Sequence, residues 1–240
     1  MNKVYKFLIT AGTAACLSTS AYAFSGWTIG VIGNDSEFTT TGTETEGSGD
    51  QGSGANNTNE VTSATITKAV DFGSAFLEYS GGNDVGGALT VGVEYIPGEA
   101  SLGSKSRTDT DGDTADDADT GTYTGKAEVS DHWSLYAEPT LNLNSVFGVY
   151  GKVGVSRVTV KSLESIDRGV SSSAYGDEDA FGGMYGAGLR VSTPVGIVFK
   201  LEATETKYQS VEMQSGTGNK NTITGRPEQS SVRLAIGYKF

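Results

Sequence analysis

The amino-acid sequence predicts an all-β protein: an eight-stranded antiparallel up-and-down transmembrane β-barrel with long extracellular loops and short periplasmic turns. Three observations support this fold class. Segments in which every second residue is apolar recur along the chain. The connections between these segments alternate between long and short. No run of about 18 apolar residues follows the N-terminal region, so no transmembrane helix is predicted. The sheet must close, because unpaired strand edges cannot face lipid.

The N-terminus has the features of a cleaved signal peptide. Lys3 and Lys6 precede a short apolar stretch over residues 7–17, and small residues lead to a cleavage site after Ala23. We therefore predict a signal peptide at 1–23 and an outer-membrane barrel domain at 24–240. Lipidation at Cys16 is the alternative, but the A-x-A site fits the pattern better.

The composition excludes several classes of function. The chain has 29 acidic residues against 17 Lys and Arg, a net charge of −12, which argues against a nucleic-acid partner. Its one cysteine lies in the signal peptide and it has one histidine, so thiolate or histidine ligation of a metal is not expected. We predict no metal site, no cofactor and no catalytic residue.

Eight segments carry the alternation: residues 27–32, 61–79, 88–96, 132–141, 146–161, 180–192, 196–208 and 230–240. The second segment is the least regular, and its register over 61–79 is left open. Its apolar residues change parity between Phe72 and Ala75, which predicts a β-bulge there.

The aromatic residues are predicted to form two girdles at the membrane interfaces. The periplasmic girdle comprises Trp27, Tyr79, Phe147, Phe199, Tyr238 and Phe240. The outer girdle comprises Phe72, Tyr95, Trp133 and Tyr185.

The inward face of these strands carries four acidic and four basic side chains. They are Glu78, Glu94, Glu138, Lys152, Arg190, Lys200, Glu202 and Arg233. An eight-stranded barrel is only wide enough for side chains to fill its interior, and buried charges must pair. The balance predicts a charge network that fills the lumen, and a narrow porin-like channel for ions or small solutes is the alternative.

The excess negative charge lies in three predicted loops, at 35–60, 97–126 and 162–179. Between Asp109 and Asp119 the D-x-D spacing resembles the start of a calcium loop, but the glycine comes too early and the closing Glu is missing. We therefore expect weak binding of divalent cations and no specific metal site.

His132 and Ser134 lie two residues apart, on one face of a predicted strand. The pair resembles the H-x-S motif of outer-membrane lipid A deacylases. The residues that follow, Leu135 and Tyr136, depart from that family, and both side chains are predicted to face the lumen. A lipid-modifying enzyme therefore ranks below a non-enzymatic barrel.

The last segment has an outward row that ends on an aromatic residue: Val232, Leu234, Ile236, Tyr238 and Phe240. This row resembles the terminal assembly signal of outer-membrane barrels. With the signal peptide and the eight strands, the chain resembles the small bacterial outer-membrane β-barrel family, which includes the transmembrane domain of outer-membrane protein A and the opacity-type surface proteins.

The resemblance implies a location in the Gram-negative outer membrane, with both termini periplasmic. It implies outer-membrane lipids and the barrel assembly machinery as partners, and a monomer. A structural or surface-binding role is expected, although this fold alone does not specify an activity.

Overall fold

The computed structural model describes residues 25–45, 61–109, 121–166, 174–214 and 222–240. The predicted signal peptide lies outside these ranges. The strands are β1 (Gly26–Thr45), β2 (Val61–Gly82), β3 (Gly86–Asp109), β4 (Gly121–Asn142), β5 (Phe147–Ile166), β6 (Ala174–Ser192), β7 (Ile197–Tyr208), β8 (Val211–Gln214) and β9 (Thr222–Lys239). No helix in these ranges has the length and apolarity needed to cross a membrane.

The strands form one closed antiparallel sheet. Each strand pairs with the next, and β1 pairs with β9 to close the wall. The four-residue β8 follows β7 after a two-residue break and pairs with the start of β9, so β7 and β8 occupy one position in the wall. The predicted eight-stranded antiparallel barrel is confirmed.

The strands are longer than predicted. The acidic stretches at 35–60, 97–126 and 162–179 are strand over much of their length: β1 continues to Thr45, β3 to Asp109 and β5 to Ile166, while β4 begins at Gly121 and β6 at Ala174. Treating these stretches wholly as loops is wrong. A membrane crossing needs about 9–11 residues, and the additional strand residues extend the wall about 25 Å beyond the membrane.

The closed wall separates into two sheets in this projecting part. Pairing between β2 and β3 ends at Ala75 and Tyr95, and pairing between β6 and β7 ends at Gly182 and Tyr208. Beyond these points β8, β9, β1 and β2 form one sheet, and β3, β4, β5 and β6 form the other. The projecting part is therefore arranged as a β-sandwich.

A hydrophobic core fills the space between the two sheets. One sheet and the end of β7 contribute Phe38, Tyr208, Val211 and Met213, and the other sheet contributes Leu102, Val129, Val158, Val160, Tyr175 and Ala180. These residues are all buried, Val158 and Ala180 to 1% exposure. In the membrane-spanning half most large apolar side chains point outward, although Ile32, Phe76 and Ala235 form a small buried cluster. Above the membrane the apolar side chains point inward, as in a soluble protein.

This reversal shows that two predictions for β2 are wrong. Its pairing with β1 runs without interruption from Ser80 to Val61, so the predicted β-bulge is absent. The apolar parity changes because Val70 and Phe72 pack against the upper core. Phe72 therefore does not belong to the outer aromatic girdle.

The register shifts occur in other strands. The β3–β4 pairing shifts between Ile96 and Glu99, and the β4–β5 pairing shifts between Ser130 and Trp133. Asp131 lies within the second shift with a φ of 50°, an uncommon conformation for a residue with a side chain. These bulges are located where the membrane barrel passes into the sandwich.

The outward face of the lower half is apolar. Leu77, Val91, Leu135, Leu201 and Leu234 are each between 39% and 63% exposed. Trp27 and Tyr79 pack edge to face in the lower girdle, with ring centroids 5.1 Å apart. Tyr95 and Tyr185 are exposed in the upper girdle, together with Phe181, which the prediction omitted. An apolar band between two aromatic girdles is the surface that a membrane barrel presents to lipid.

Candidate functional site

The eight charged side chains of the predicted lumen set all lie inside the barrel. They come from seven strands, β2 to β7 and β9, and each is at most 4% exposed. Glycines on neighbouring strands leave room for the larger side chains. A Cβ on Gly188 would lie 2.5 Å from the Tyr150 ring, and one on Gly92 would lie 2.6 Å from the Tyr136 ring.

Two lysines occupy the centre of the set, each between two carboxylates. Lys200 Nζ lies 2.5 Å from Glu78 Oε1 and 2.6 Å from Glu138 Oε1. Lys152 Nζ lies 3.3 Å from Glu138 Oε1 and 3.0 Å from Glu202 Oε1. Acidic and basic groups therefore alternate across the lumen, and each lysine satisfies two buried acids.

The alternation continues toward the outer end through Arg233. Its Nε lies 3.2 Å from Glu202 Oε1, and its Nη2 donates a hydrogen bond to Glu94. The other oxygen of Glu94 accepts a hydrogen bond from Ser74 Oγ at 2.5 Å. We call the seven connected side chains the charge network: Glu78, Lys200, Glu138, Lys152, Glu202, Arg233 and Glu94.

Two buried tyrosines add hydrogen bonds to this network. Tyr136 donates to Glu78 Oε1 and Tyr150 donates to Glu202 Oε2, both at 2.8 Å. Lys152 Nζ also lies 3.8 Å from the centroid of the Tyr136 ring, a cation–π contact. The strand parity places both tyrosines inside, but their acceptors depend on how the barrel closes.

Arg190 lies at the periplasmic end of the lumen. It stands opposite Lys200 in the β6–β7 ladder. Its Nε donates to Ser192 Oγ at 3.3 Å, and its Nη1 donates to Ser80 Oγ at 3.3 Å and Thr90 Oγ1 at 3.4 Å. Hydroxyl groups are therefore prominent among the partners of this guanidinium.

His132 and Ser134 are both buried, but they contact different partners. His132 Nε2 lies 3.0 Å from the hydroxyl of Tyr208, and Ser134 Oγ lies 2.7 Å from Ser156 Oγ. A nucleophilic serine needs a base within hydrogen-bonding distance. In this geometry the hydrogen-bond partner of His132 is Tyr208, whereas that of Ser134 is Ser156.

The residues of the predicted assembly signal lie on the outward face of β9, between β1 and β7. Phe240 follows the last residue of β9, at the periplasmic rim. Its N–H donates to Trp27 O at 2.8 Å, and the N–H of Trp27 donates to Phe240 O at 3.0 Å. The two ends of the described barrel therefore meet.

Ion pairs also lie on the outer wall above the membrane band. Lys161 Nζ is 2.7 Å from Glu99 Oε1, and Arg157 Nη2 is 2.5 Å from Asp179 Oδ2. The hydrogen bond from Arg157, with a second from Thr159, holds the pKa of Asp179 below its ordinary value. The bond to Glu99 raises the pKa of Lys161.

Within the described ranges, no group of three or more His, Cys, Asp or Glu side chains could hold a metal ion. The acidic stretch considered for calcium lies outside those ranges, apart from Asp109 at the end of β3.

No protein-family model matches the chain, and no curated protein matches it. Several solved structures are similar to the chain at low identity. Ail, the attachment invasion locus protein of Yersinia pestis, is 12% identical, covers 84% of this chain and 98% of its own, and has a TM-score of 0.32. Neisserial surface protein A is 10% identical, with 90% and 98% covered and a TM-score of 0.33.

The outer-membrane protease OmpT from Escherichia coli is 10% identical, with 93% of this chain and 99% of that chain covered and a TM-score of 0.41.

Proposed function

We propose that this protein, an integral β-barrel of the bacterial outer membrane, is a closed and non-enzymatic barrel with a structural or surface-binding role. One observation carries the proposal: two successive layers of buried side chains lie inside the barrel. The charge network occupies the membrane-spanning half, and the hydrophobic core occupies the projecting half.

The two layers oppose the passage of solutes for different physical reasons. A water-filled path through the lower layer requires ion pairs to separate, and leaving one buried charge without its partner costs about 3–5 kcal/mol. In the upper layer, Phe38 and Val158 are 3% and 1% exposed, and a solute would have to displace close-packed apolar side chains.

The projecting part supplies the surface for binding. Its outward face is polar, with charged residues on several strands, among them Glu37, Asp71, Glu99, Arg157 and Asp179. The acidic stretches continue beyond these strands in sequence. The predicted interactions are with outer-membrane lipids along the apolar band and, weakly, with divalent cations at the acidic outer end.

Conductance in planar lipid bilayers tests the closed lumen. We expect no reproducible current steps from the refolded protein, with insertion verified by the change in gel mobility between unheated and heated samples. Reproducible steps from the wild type would overturn the closed lumen. They would establish instead the narrow channel, with the polar side chains of the membrane-spanning half as its lining.

A lipid A deacylation assay tests the absence of enzymatic activity. The contacts of His132 and Ser134 with different partners predict no product from the wild-type protein. Activity in the wild type that disappears in His132→Ala would show that this pair is catalytic.

A further inference from the structure

A groove crosses the lipid-facing surface of the barrel where strands β5, β6, β7 and β9 lie side by side. The space within it is about 540 Å³. The closed lumen proposed above does not depend on the outward side chains of the groove. Those side chains are all apolar, and they are Val149, Ala187, Leu189, Leu201, Ala203 and Val232.

The strand register explains why the surface is concave here. Ala187 stands opposite Ala203 on one side and opposite Gly151 on the other, so three neighbouring strands carry small residues in one row. Two residues further along β6 and β7, about 7 Å toward the periplasm, Leu189 stands opposite Leu201. The small residues therefore form the floor of the groove, and the leucines form its lower wall.

The upper edge of the groove is polar. Tyr185 stands opposite Glu205 and donates a hydrogen bond to its carboxylate. Lys207 Nζ lies 3.2 Å from Glu205 Oε1. We call these three side chains the rim cluster. Tyr185 belongs to the upper aromatic girdle, so the rim cluster lies at the level of the outer headgroups, and the groove lies in the hydrocarbon directly below them.

This position determines what covers the groove. Lipid tails are as apolar as leucine, so contacts in the hydrocarbon region depend on van der Waals packing. An empty groove would lose these contacts along its floor and wall. An acyl chain is thin enough to follow the floor over Ala187 and Ala203, and its headgroup then lies beside the rim cluster.

The rim cluster is suited to a headgroup that carries both phosphate and sugar. The ammonium of Lys207 is a compact cation for a phosphate oxygen. The carboxylate of Glu205 accepts hydrogen bonds from sugar hydroxyls, and the hydroxyl of Tyr185 both donates and accepts them. The outer leaflet of a Gram-negative outer membrane supplies a lipid of this chemistry, a phosphorylated glycolipid of the lipid A type.

From the shape of the groove, its depth in the membrane and the chemistry of its rim, we propose that it binds one acyl chain of a lipid A-type glycolipid. The proposal rests on the lipid contacts proposed above for the apolar band and assigns to them one fixed site. The site does not depend on whether the lumen conducts, because it lies on the outer surface of the wall.

Native mass spectrometry of the refolded protein tests the site, with lipid A added in non-ionic detergent. We expect the wild type to retain one lipid A molecule with saturable affinity. Ala203→Leu fills the floor of the groove and should weaken this binding at least about tenfold. In deuterated detergent, nuclear Overhauser effects should connect the acyl chains of lipid A to the methyl groups of Ala187 and Ala203 in the wild type.

Ala75→Leu is the matched control. Ala75 lies between Val31 and Tyr95 on the opposite side of the barrel, so the same enlargement there should leave lipid A affinity unchanged. Absence of retained lipid A, or equal affinities for the two variants, would overturn the proposal. Equal retention of phosphatidylglycerol by the wild type would overturn the assignment to a glycolipid. If lipid A is not retained but the heat-dependent gel shift and the absence of current steps persist, the site is refuted and the closed barrel is not.

Discussion

Lys200 is the residue whose removal tests the charge network most directly. Its side chain is 2% exposed and lies within 2.6 Å of two carboxylates, those of Glu78 and Glu138. In Lys200→Met the shape is approximately retained but the charge is lost. Glu78 keeps the hydrogen bond from Tyr136, and Glu138 keeps Lys152 at 3.3 Å.

Removing one partner from a buried ion pair costs about 3–5 kcal/mol, because a charge is left in a medium of low polarity. We expect Lys200→Met to lower the free energy of unfolding by that amount. Urea unfolding in detergent micelles, followed by tryptophan fluorescence, measures the change.

Two further variants separate charge from packing. Lys207→Met removes an exposed ion pair and should change stability very little, because exposed pairs are screened by solvent. The double variant Lys200→Met/Glu78→Gln again balances the acidic and basic residues inside the barrel, and it should recover about half of the loss. If Lys200→Met is no more destabilising than Lys207→Met, the network does not stabilise the barrel and this reasoning fails.

Three other predictions concern packing and the outer wall. Gly188→Ala places a methyl group against a tyrosine ring and should destabilise the barrel by about 1–3 kcal/mol in urea unfolding, whereas the outward Gly183→Ala should have little effect. Phe38→Ala creates a cavity in the upper core; a loss of about 3–5 kcal/mol and faster proteolysis of the projecting strands are expected.

On the outer wall, Arg157→Gln should return the pKa of Asp179 toward its ordinary value, measured by NMR titration. Because this pKa is lowered in the folded protein, the pair contributes stability at neutral pH and loses it as the pH falls through the folded pKa. A similar loss from Gly188→Ala and Gly183→Ala, normal proteolysis of Phe38→Ala, or an unchanged pKa in Arg157→Gln would each contradict its prediction.

The membrane-spanning half could be predicted from the sequence because a strand has a period of two. Once Leu77 and Leu201 face lipid, Glu78 and Lys200 must face the lumen, and the length of chain needed to cross the membrane is known. The order of the strands follows from the short turns. The strand count and the inward location of the charges therefore required no tertiary information.

The prediction for the projecting half was wrong because it also relied on the two-residue period. Apolar residues there change parity, and a parity change in sequence looks the same whether a bulge rotates the strand or the environment of its two faces is exchanged. For Val70 and Phe72 the second explanation holds: outside the membrane water lies beyond the wall, so burial drives apolar groups inward.

The sequence could not predict which acidic and basic side chains pair across the lumen. Glu78 and Lys200 are separated by 122 residues, and which acid each base reaches depends on the register and closure of the whole barrel. The same holds for the contact between His132 and Tyr208, which only the folded wall brings together. The sequence by itself determined which side chains face inward in the membrane, through the alternation of the strand. Only the tertiary structure decided their pairing and the two-sheet core above them, because both depend on contacts between residues distant in the chain.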